Sequence, residues 1–266
     1  MSGKAQGREI AIIGSSGQVG QPTAKALLAS GIHTITAVQR IEATRHDAVV
    51  LMPPLTHLVS LQESAVRAAA KAGVRYILPA EFGPDPFASK LIEDNQLLQD
   101  KKKIRDLIEE LGVSSWISVA VGPFLDMNIK SGLWGIDVVA QTGQATAAVL
   151  SLPGRNLSRY ENKAFYVPSF HLSQKELLLA VQKARGTADQ DWEIDYQDVN
   201  DALGDCNDKI RQKDATAPFV KFFLTHFREG SGGDFESKVD VSEVKKLHEI
   251  GLQREAVDDV LERVLS

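Results

Sequence analysis

The sequence predicts an α/β protein in which helices cover both faces of a parallel β-sheet. Short segments rich in Val and Ile alternate with longer segments whose apolar residues recur every three or four positions. Glycine or proline ends most of these segments, as at Gly31, Gly73 and Pro79. Strands that alternate with helices form parallel sheets, because a helix returns the chain to the starting edge after each strand.

The first part of the chain contains regular alternation. The predicted strands are residues 10–13, 34–38, 48–52, 74–78 and 116–121, and the predicted helices are residues 22–29, 61–72 and 95–111. The strand at 34–38 is rich in β-branched residues, which favour extended backbone. Pro22 suits the first turn of a helix, where an amide proton would have no partner in any case. These elements define a predicted sheet domain over residues 1–122.

After residue 122 the alternation becomes irregular. Residues 124–136 are aromatic and loop-like, 142–150 are helical, and 164–167 form a strand that returns to the sheet. Residues 173–184 form a helix that Ser173 caps, residues 219–227 are strongly apolar, and residues 241–266 are mostly helical. The pattern predicts a second, smaller and mostly helical lobe over residues 123–266.

The composition excludes several classes of protein. The 266 residues are 43% hydrophobic and 24% charged, which excludes disordered and collagen-like chains. The net charge is −5 and no basic face is evident, so neither nucleic acid nor an anionic membrane is an expected partner. Cys206 is the only cysteine, so the chain forms no internal disulfide. Residues 1–9 contain no apolar signal core and no segment has the length of a membrane span, which predicts a cytoplasmic protein.

A glycine-rich turn follows the first predicted strand and opens the first helix. Gly14, Gly17 and Gly20 have the spacing GxxGxxG. Such a turn bends sharply, brings backbone amides close to a pyrophosphate, and allows tight packing of helix on strand. The predicted phosphate contacts are Gly14, Ser15, Ser16, Gly17, Gln18, Val19 and Gly20. The alternative is a tight turn that binds no ligand.

The end of the second strand indicates which dinucleotide binds. A carboxylate there would accept from the ribose 2′-OH of NAD, but the sequence has Gln39 and Arg40. An arginine can pair with the 2′-phosphate of NADP. Arg40 is therefore predicted to select NADPH, although a solvated surface arginine would have the same sequence. The predicted cofactor contacts also include Pro53, Glu81 and Phe82.

Several segments together resemble one enzyme family. They are residues 10–40, 74–83, 101–105, 133–137, 169–174 and 232–235. The chain resembles the NmrA-like and isoflavone-reductase-like atypical short-chain dehydrogenases, most of all their fungal branch. This resemblance implies a Rossmann-like domain, NADPH as cofactor, and reduction of small aromatic or phenolic substrates, with a substrate-covering lobe after residue 122.

The resemblance also implies a catalytic lysine. Reductases of this family have a lysine beside the nicotinamide that contacts its ribose and acts as a general acid or base. The matching run here is residues 101–105, and counting back from Arg105 selects Lys101. Because successive helical residues are rotated by about 100°, at most one of Lys101, Lys102 and Lys103 can face the site. A solvated basic helix face remains the alternative for each of the three.

Two segments are shorter than the family pattern. Only residues 39–47 separate the second and third strands, fewer than the ~10–12 that a helical crossover needs. One edge strand should therefore be missing, which leaves residues 34–38 at the edge of the sheet and the adenine side open. An exposed edge favours association, so a monomer or a homodimer is expected. Residues 138–146 likewise replace a longer stretch that carries part of the substrate pocket.

Other chemistries find less support. The six histidines lack metal-binding spacing, so we predict no metal. His57 and His171 follow predicted strands and could contact substrate, but the pattern favours histidines in surface loops. The nucleophile motif GxSxG is absent, and Tyr160 and Lys163 are one residue too close for the usual Tyr-x-x-x-Lys pair. Five aromatic residues could line a substrate pocket or belong to the core: Phe124, Trp134, Phe222, Phe223 and Phe227.

The sequence therefore leaves three functions to compare. The first is an NADPH-dependent oxidoreductase that acts on a small aromatic compound, as in secondary metabolism. The second is a dinucleotide-binding regulator or sensor without turnover, which the NmrA resemblance allows. The third is a degenerate fold that binds no ligand. Lys101 favours the first function, and the two shortened segments favour the second.

Overall fold

A computed structural model describes residues 5–38, 46–122 and 139–265. Six parallel strands form one sheet in the order β2-β1-β3-β4-β5-β6. The strands are β1 (Glu9–Ile13), β2 (Thr34–Val38), β3 (Ala48–Leu51), β4 (Tyr76–Leu78), β5 (Ser115–Ala120) and β6 (Lys163–Tyr166). The predicted α/β class with a parallel sheet is confirmed.

Eleven helices accompany the strands in the described part of the chain. They are α1 (Gly20–Ala29), α2 (Leu58–Ala72), α3 (Ser89–Asp94), α4 (Gln96–Leu111), α5 (Val139–Ser151), α6 (Gly154–Leu157), α7 (Gln174–Arg185), α8 (Val199–Arg211), α9 (Ala217–Phe227), α10 (Val241–Glu249) and α11 (Val257–Leu265). None of the described helices is both long enough and apolar enough to cross a bilayer.

The core has two layers, one on each face of the sheet. Side chains alternate along a strand, so Ile10 and Ile12 of β1 face one layer and Ala11 faces the other. In the first layer the strands pack on α1 and α5, where Leu27 and Val149 are fully buried. In the second layer they pack on helices α2 and α4. A sheet buried on both faces explains why the strands are almost continuously apolar.

Strand β2 lies at one edge of the sheet. It pairs in parallel with β1, from Glu9 opposite Thr34 to Ile13 opposite Val38. Its residues are half-buried or exposed, whereas those of β3 are buried. The prediction that residues 34–38 form a sheet edge is therefore confirmed. Residues 39–47 were expected to cross directly to the next strand, and residues 39–45 of this segment lie outside the described part of the chain.

The chain after residue 122 contributes to the same sheet. Strand β6 pairs in parallel with β5, as predicted for residues 164–167. Helix α7 begins after a capping box, in which the Ser173 hydroxyl accepts from the Glu176 amide and the Glu176 carboxylate accepts from the Ser173 amide. The apolar segment at 219–227 belongs to helix α9. Residues 124–136, predicted to be loop-like, are outside the described part.

Candidate active site

The glycine turn connects β1 to α1 at the carboxyl edge of the sheet. Gly14 has φ +84°, and a Cβ there would lie 2.1 Å from the Met52 carbonyl oxygen at the end of β3. A Cβ on Gly20 would lie 1.9 Å from the Gly14 carbonyl oxygen. These two positions cannot hold any side chain without moving backbone. Gly17 is exposed, and its Cβ would lie 3.3 Å from the Gly14 oxygen.

The turn leaves the first amides of α1 free of side-chain caps. Val19 stands at the N-cap position and makes no side-chain hydrogen bond. Within the turn, the Gly17 amide donates to the Gly14 carbonyl over 3.0 Å, and the Gln21 amide donates to the Gly17 carbonyl over 2.9 Å. An uncapped helix start carries partial positive charge and attracts anions. The turn therefore has the shape and the electrostatics that a pyrophosphate requires.

The loop after β4 lies two strand positions away from the glycine turn. Its Gly83 carbonyl accepts from the amides of Val121 and Gly122, both over 3.0 Å, and this joins the loop to the end of β5. The carboxyl ends of β1, β3, β4 and β5 thus meet along one edge, where open α/β sheets bind their ligands. Pro53 follows β3 at this edge and is half-buried, and Phe82 is buried in the core beneath it.

Of the three adjacent lysines, only Lys101 faces the protein interior. The residue is 8% exposed, and a Cβ on Gly83 would lie 3.9 Å from its Nζ atom. Lys102 and Lys103 are exposed and pair with Asp106 and Asp100, each over 2.7 Å. Lys101 lies in the second turn of α4, near the start of the helix as the sequence predicted. The helix rotation predicted that one lysine at most would face inward, and the structure has that arrangement.

The surroundings of Lys101 lower the pKa of its ammonium group. Burial is the largest cause and the Arg105 charge adds to it, whereas the Glu81 carboxylate opposes both. No hydrogen bond to the ammonium is found within the described ranges. A buried amine with a lowered pKa exchanges protons more readily near neutral pH than an exposed lysine.

Glu81 and Arg105 form a buried ion pair beside Lys101. Glu81 is 3% exposed and Arg105 is 5% exposed, and Arg105 Nη1 donates to Glu81 Oε1. Arg105 Nη2 also donates to the Pro86 carbonyl over 2.9 Å, and the guanidinium lies 5.6 Å from the centre of the Trp116 ring. Glu81 was predicted as a cofactor contact, and that role stays a prediction. The structure shows in addition that Glu81 pairs with Arg105 of α4.

A second polar cluster holds the same loop from the other side. Asp85 is 1% exposed, and its carboxylate accepts from the Tyr166 hydroxyl over 2.8 Å, from the Phe87 amide over 3.0 Å and from Lys238. Burial and the Asp85 carboxylate raise the pKa of Tyr166. Because Tyr166 ends β6 and Lys238 precedes α10, the cluster connects the loop to the later part of the chain.

Helix α9 carries a histidine, His226, that the sequence did not single out. His226 Nδ1 lies 2.6 Å from the Phe222 carbonyl, and the buried Nε2 atom has no hydrogen-bond partner in the described part of the chain. Burial lowers the pKa of His226 to about 4, and the Lys101 charge contributes to this shift. No spacing rule links a histidine on a late aromatic helix to a lysine on α4, so only the tertiary structure could find it.

The remaining predicted site residues are exposed, belong to the core or lie outside the described part of the chain. His57 is exposed, and His171 is exposed beside two acids, with Nδ1 3.0 Å from Glu236 and Nε2 3.5 Å from Asp234. The ring of Phe222 packs on the small apolar cluster that contains Leu91 and Leu98. Arg40, Phe124, Trp134 and the family segment at 133–137 lie outside the described residues. Over the described ranges, no three His, Cys, Asp or Glu residues group closely enough to hold a metal ion.

Comparison with known proteins identifies relatives that are oxidoreductases. No family model matches the sequence. The chain is 25% identical over 250 residues to oxidoreductase aprR of Aspergillus flavus, which covers 85% of this chain and 79% of that protein.

Several solved structures that resemble this chain are reductases. Leucoanthocyanidin reductase of Vitis vinifera, in complex with NADPH, has a TM-score of 0.69 and 16% identity over 97% of this chain and 100% of that one. An isoflavone reductase has a TM-score of 0.70 and 17% identity over 96% and 98% of the two chains. Triphenylmethane reductase of Citrobacter sp., in complex with NADP(H), has a TM-score of 0.60 and 14% identity over 96% and 99%. The fold of this chain is that of Rossmann-type reductases, and the resemblance predicted from the sequence is confirmed.

Proposed function

We propose that this chain is an oxidoreductase that uses NADPH to reduce a small aromatic or phenolic compound. The observation that carries the proposal is the buried Lys101 ammonium. It lies at the carboxyl ends of the strands, as does the start of α1, which is lined by glycines and has no side-chain cap. The names of the relatives support the reaction type and the cofactor. A substrate of this class fits a role in secondary metabolism.

The residues of the turn fit a bound dinucleotide. Because a Cβ on Gly14 or Gly20 would overlap backbone, the turn stays compact and leaves the space above its amides open. The backbone amides from Ser15 to Val19 and the start of α1 would hold the pyrophosphate, and Arg40 would pair with the 2′-phosphate. When bound, NADPH supplies the hydride for the reduction.

Lys101 supplies the proton that accompanies hydride transfer. Its ammonium lies near Gly83 in the loop after β4 and is shielded from bulk water by burial. The lowered pKa makes this ammonium a stronger acid than an exposed lysine, so it can protonate the substrate oxygen or orient a water that does. The Glu81–Arg105 ion pair fixes the loop and α4 relative to one another and thereby holds Lys101 in place.

The proposal is tested by adjacent lysine variants. Lys101→Met should keep the fold and most of the NADPH affinity and should lose ~100-fold or more in turnover, the scale of a lost acid–base group. Lys102→Met removes the same charge from the next position, where the side chain pairs with Asp106 in solvent, and should be nearly neutral. The assay is NADPH oxidation with a panel of phenols, quinones and aromatic ketones. Equal turnover of the two variants would contradict the role of Lys101.

A regulatory protein without turnover is the second candidate. The observation in its favour is the edge position of β2, because that side of the sheet is where the adenine would lie. This candidate predicts NADPH binding by calorimetry together with no NADPH oxidation on any compound of the panel. Turnover of one compound that Lys101→Met abolishes would exclude it.

A further inference from the structure

The ring of His33 joins three elements at the amino ends of the strands. His33 immediately precedes β2 and is half-buried. Its Nδ1 atom accepts from the Arg8 amide, just before β1, over 3.2 Å, and its Nε2 atom lies 3.0 Å from the Ser151 hydroxyl at the end of α5. The Thr34 amide donates to the Arg8 carbonyl over 2.9 Å. The imidazole therefore extends the ladder between β1 and β2 by one hydrogen bond.

These contacts require one protonation state of the imidazole. A backbone amide can only donate, so Nδ1 holds a lone pair and the proton of the neutral ring is on Nε2. The Ser151 hydroxyl donates its own proton to the Ala147 carbonyl over 2.7 Å, so its oxygen accepts from Nε2. An imidazolium would instead point an N–H at the Arg8 amide, donor against donor. Protonation of His33 therefore breaks its hydrogen bond with Arg8.

Arg8 is the residue that this hydrogen bond holds in place. It is 6% exposed, and its guanidinium donates to the Leu150 carbonyl and, over 2.6 Å, to the Leu152 carbonyl. The last carbonyls of a helix have no partner within it, so Arg8 caps the end of α5. Close by, the Gln6 amide donates to the Ser151 carbonyl over 2.9 Å. The start of β1 and the end of α5 are thus joined through one buried arginine.

The charges at this junction also oppose a proton on His33. Burial lowers the pKa of His33, and the Arg8 guanidinium adds to this effect. The groups that act on Arg8 in turn are Asp47, Arg75 and Tyr76. Helix α5 and the last turn of α1 contain no ionisable residue. His33 is therefore neutral near neutral pH and gains its proton at a lower pH than an exposed histidine.

We propose that His33 is a pH-sensitive latch on the edge strand β2. The neutral ring fastens the start of β2 to β1 and to α5, and the protonated ring releases this junction. Among the described strands β2 pairs with β1 alone, so its start opens more readily than that of an inner strand. The strand runs from the junction to Val38, which lies opposite Ile13, the residue before the glycine turn. The latch thus controls how firmly this side of the sheet is held, and it is independent of the proposed reduction.

Two NMR measurements on the unmutated, full-length protein test the latch. Long-range 1H–15N spectra should show the Nε2–H tautomer of His33 near neutral pH, with a pKa below the ordinary value of about 6.5. Hydrogen exchange should show that the amides of Arg8 and Thr34 lose about tenfold in protection as His33 gains its proton, the scale of one lost hydrogen bond. Amides of the inner strand β3 should keep their protection. An Nδ1–H tautomer, or unchanged protection of the Arg8 amide across the titration, would overturn the proposal.

A matched pair of variants separates His33 from the other groups that titrate in acid. His33→Asn places an amide oxygen near the position of Nδ1, where it can accept from Arg8 without titrating. Protection of the Arg8 and Thr34 amides should then stay constant from about pH 7.5 to about pH 5. His46→Asn is the control, because that imidazole contacts the Thr36 hydroxyl of the same strand over 3.1 Å, and it should keep the pH dependence of the unmutated protein. Persistence of the pH dependence in His33→Asn, or its loss in His46→Asn, would contradict the role of His33.

Discussion

Replacing Arg105 with Met should destabilise the protein far more than removal of an exposed arginine. The substitution keeps much of the side-chain volume but removes the only charge that pairs with the Glu81 carboxylate in the described structure. Glu81 is 3% exposed, so solvent cannot replace the lost partner. The hydrogen bond to the Pro86 carbonyl and the contact with the Trp116 ring are lost as well.

The magnitude follows from burial of the uncompensated charge. Breaking a buried ion pair at one partner costs about 3–5 kcal/mol, because the remaining charge stays desolvated. Domains are stable by only about 5–15 kcal/mol, so this loss is a large share of the total. At ~2–4 °C per kcal/mol for a chain of this size, the melting temperature should fall by roughly 10 °C.

Two matched variants separate the charge effect from the loss of contacts. Arg75→Met removes an arginine whose pair with Glu161 has side chains 63% and 36% exposed, and an exposed pair is worth about 0–1 kcal/mol. The double variant Arg105→Met, Glu81→Met removes both buried charges and should recover most of the loss, because apolar pairs replace buried ion pairs at little cost.

The assay is urea unfolding followed by circular dichroism, which gives the free energy of unfolding for each variant. We expect a large loss for Arg105→Met, a small loss for Arg75→Met, and recovery in the double variant. If Arg105→Met were no less stable than Arg75→Met, the buried pair would not hold the loop after β4 to α4 as described.

Three further predictions concern the turn, the cofactor and pH. Gly20→Ala should lower the free energy of unfolding by about 1–3 kcal/mol in thermal unfolding, because its Cβ would overlap the Gly14 carbonyl. Gly17→Asp should fold normally and lose NADPH binding, as measured by calorimetry. Full NADPH binding by Gly17→Asp would contradict the phosphate role of the turn. Arg40→Gln should reduce the preference for NADPH over NADH, and an unchanged ratio of affinities would remove the role of Arg40. His226 stays neutral in the folded protein down to a pKa of about 4, so the unfolded chain binds the extra proton as pH falls from 6.5 and stability should drop by about 3 kcal/mol by pH 4. His226→Gln should lack that part of the acid sensitivity, as measured by urea unfolding across this range.

Much of the fold could be read from local sequence patterns. The strands at 34–38 and 48–52 and the helix at 95–111 match the observed elements to within a residue, since apolar periodicity and the glycine stops act over a few neighbours. The GxxGxxG spacing located the turn, because its glycines are required by contacts within the turn and with the adjacent strand. The short connection after residue 38 predicted the edge position of β2 from chain length alone.

The tertiary structure decided which side chains form the site. Helical rotation limits the inward-facing lysines to one, but only the packing of α4 on the sheet selects Lys101 and leaves Lys102 and Lys103 in solvent. The pairing of Glu81 with Arg105 and the hydrogen bond from Tyr166 to Asp85 join residues that are far apart in the chain. Such contacts depend on how whole elements pack and on which charges lose their water, and no short stretch of sequence contains that information.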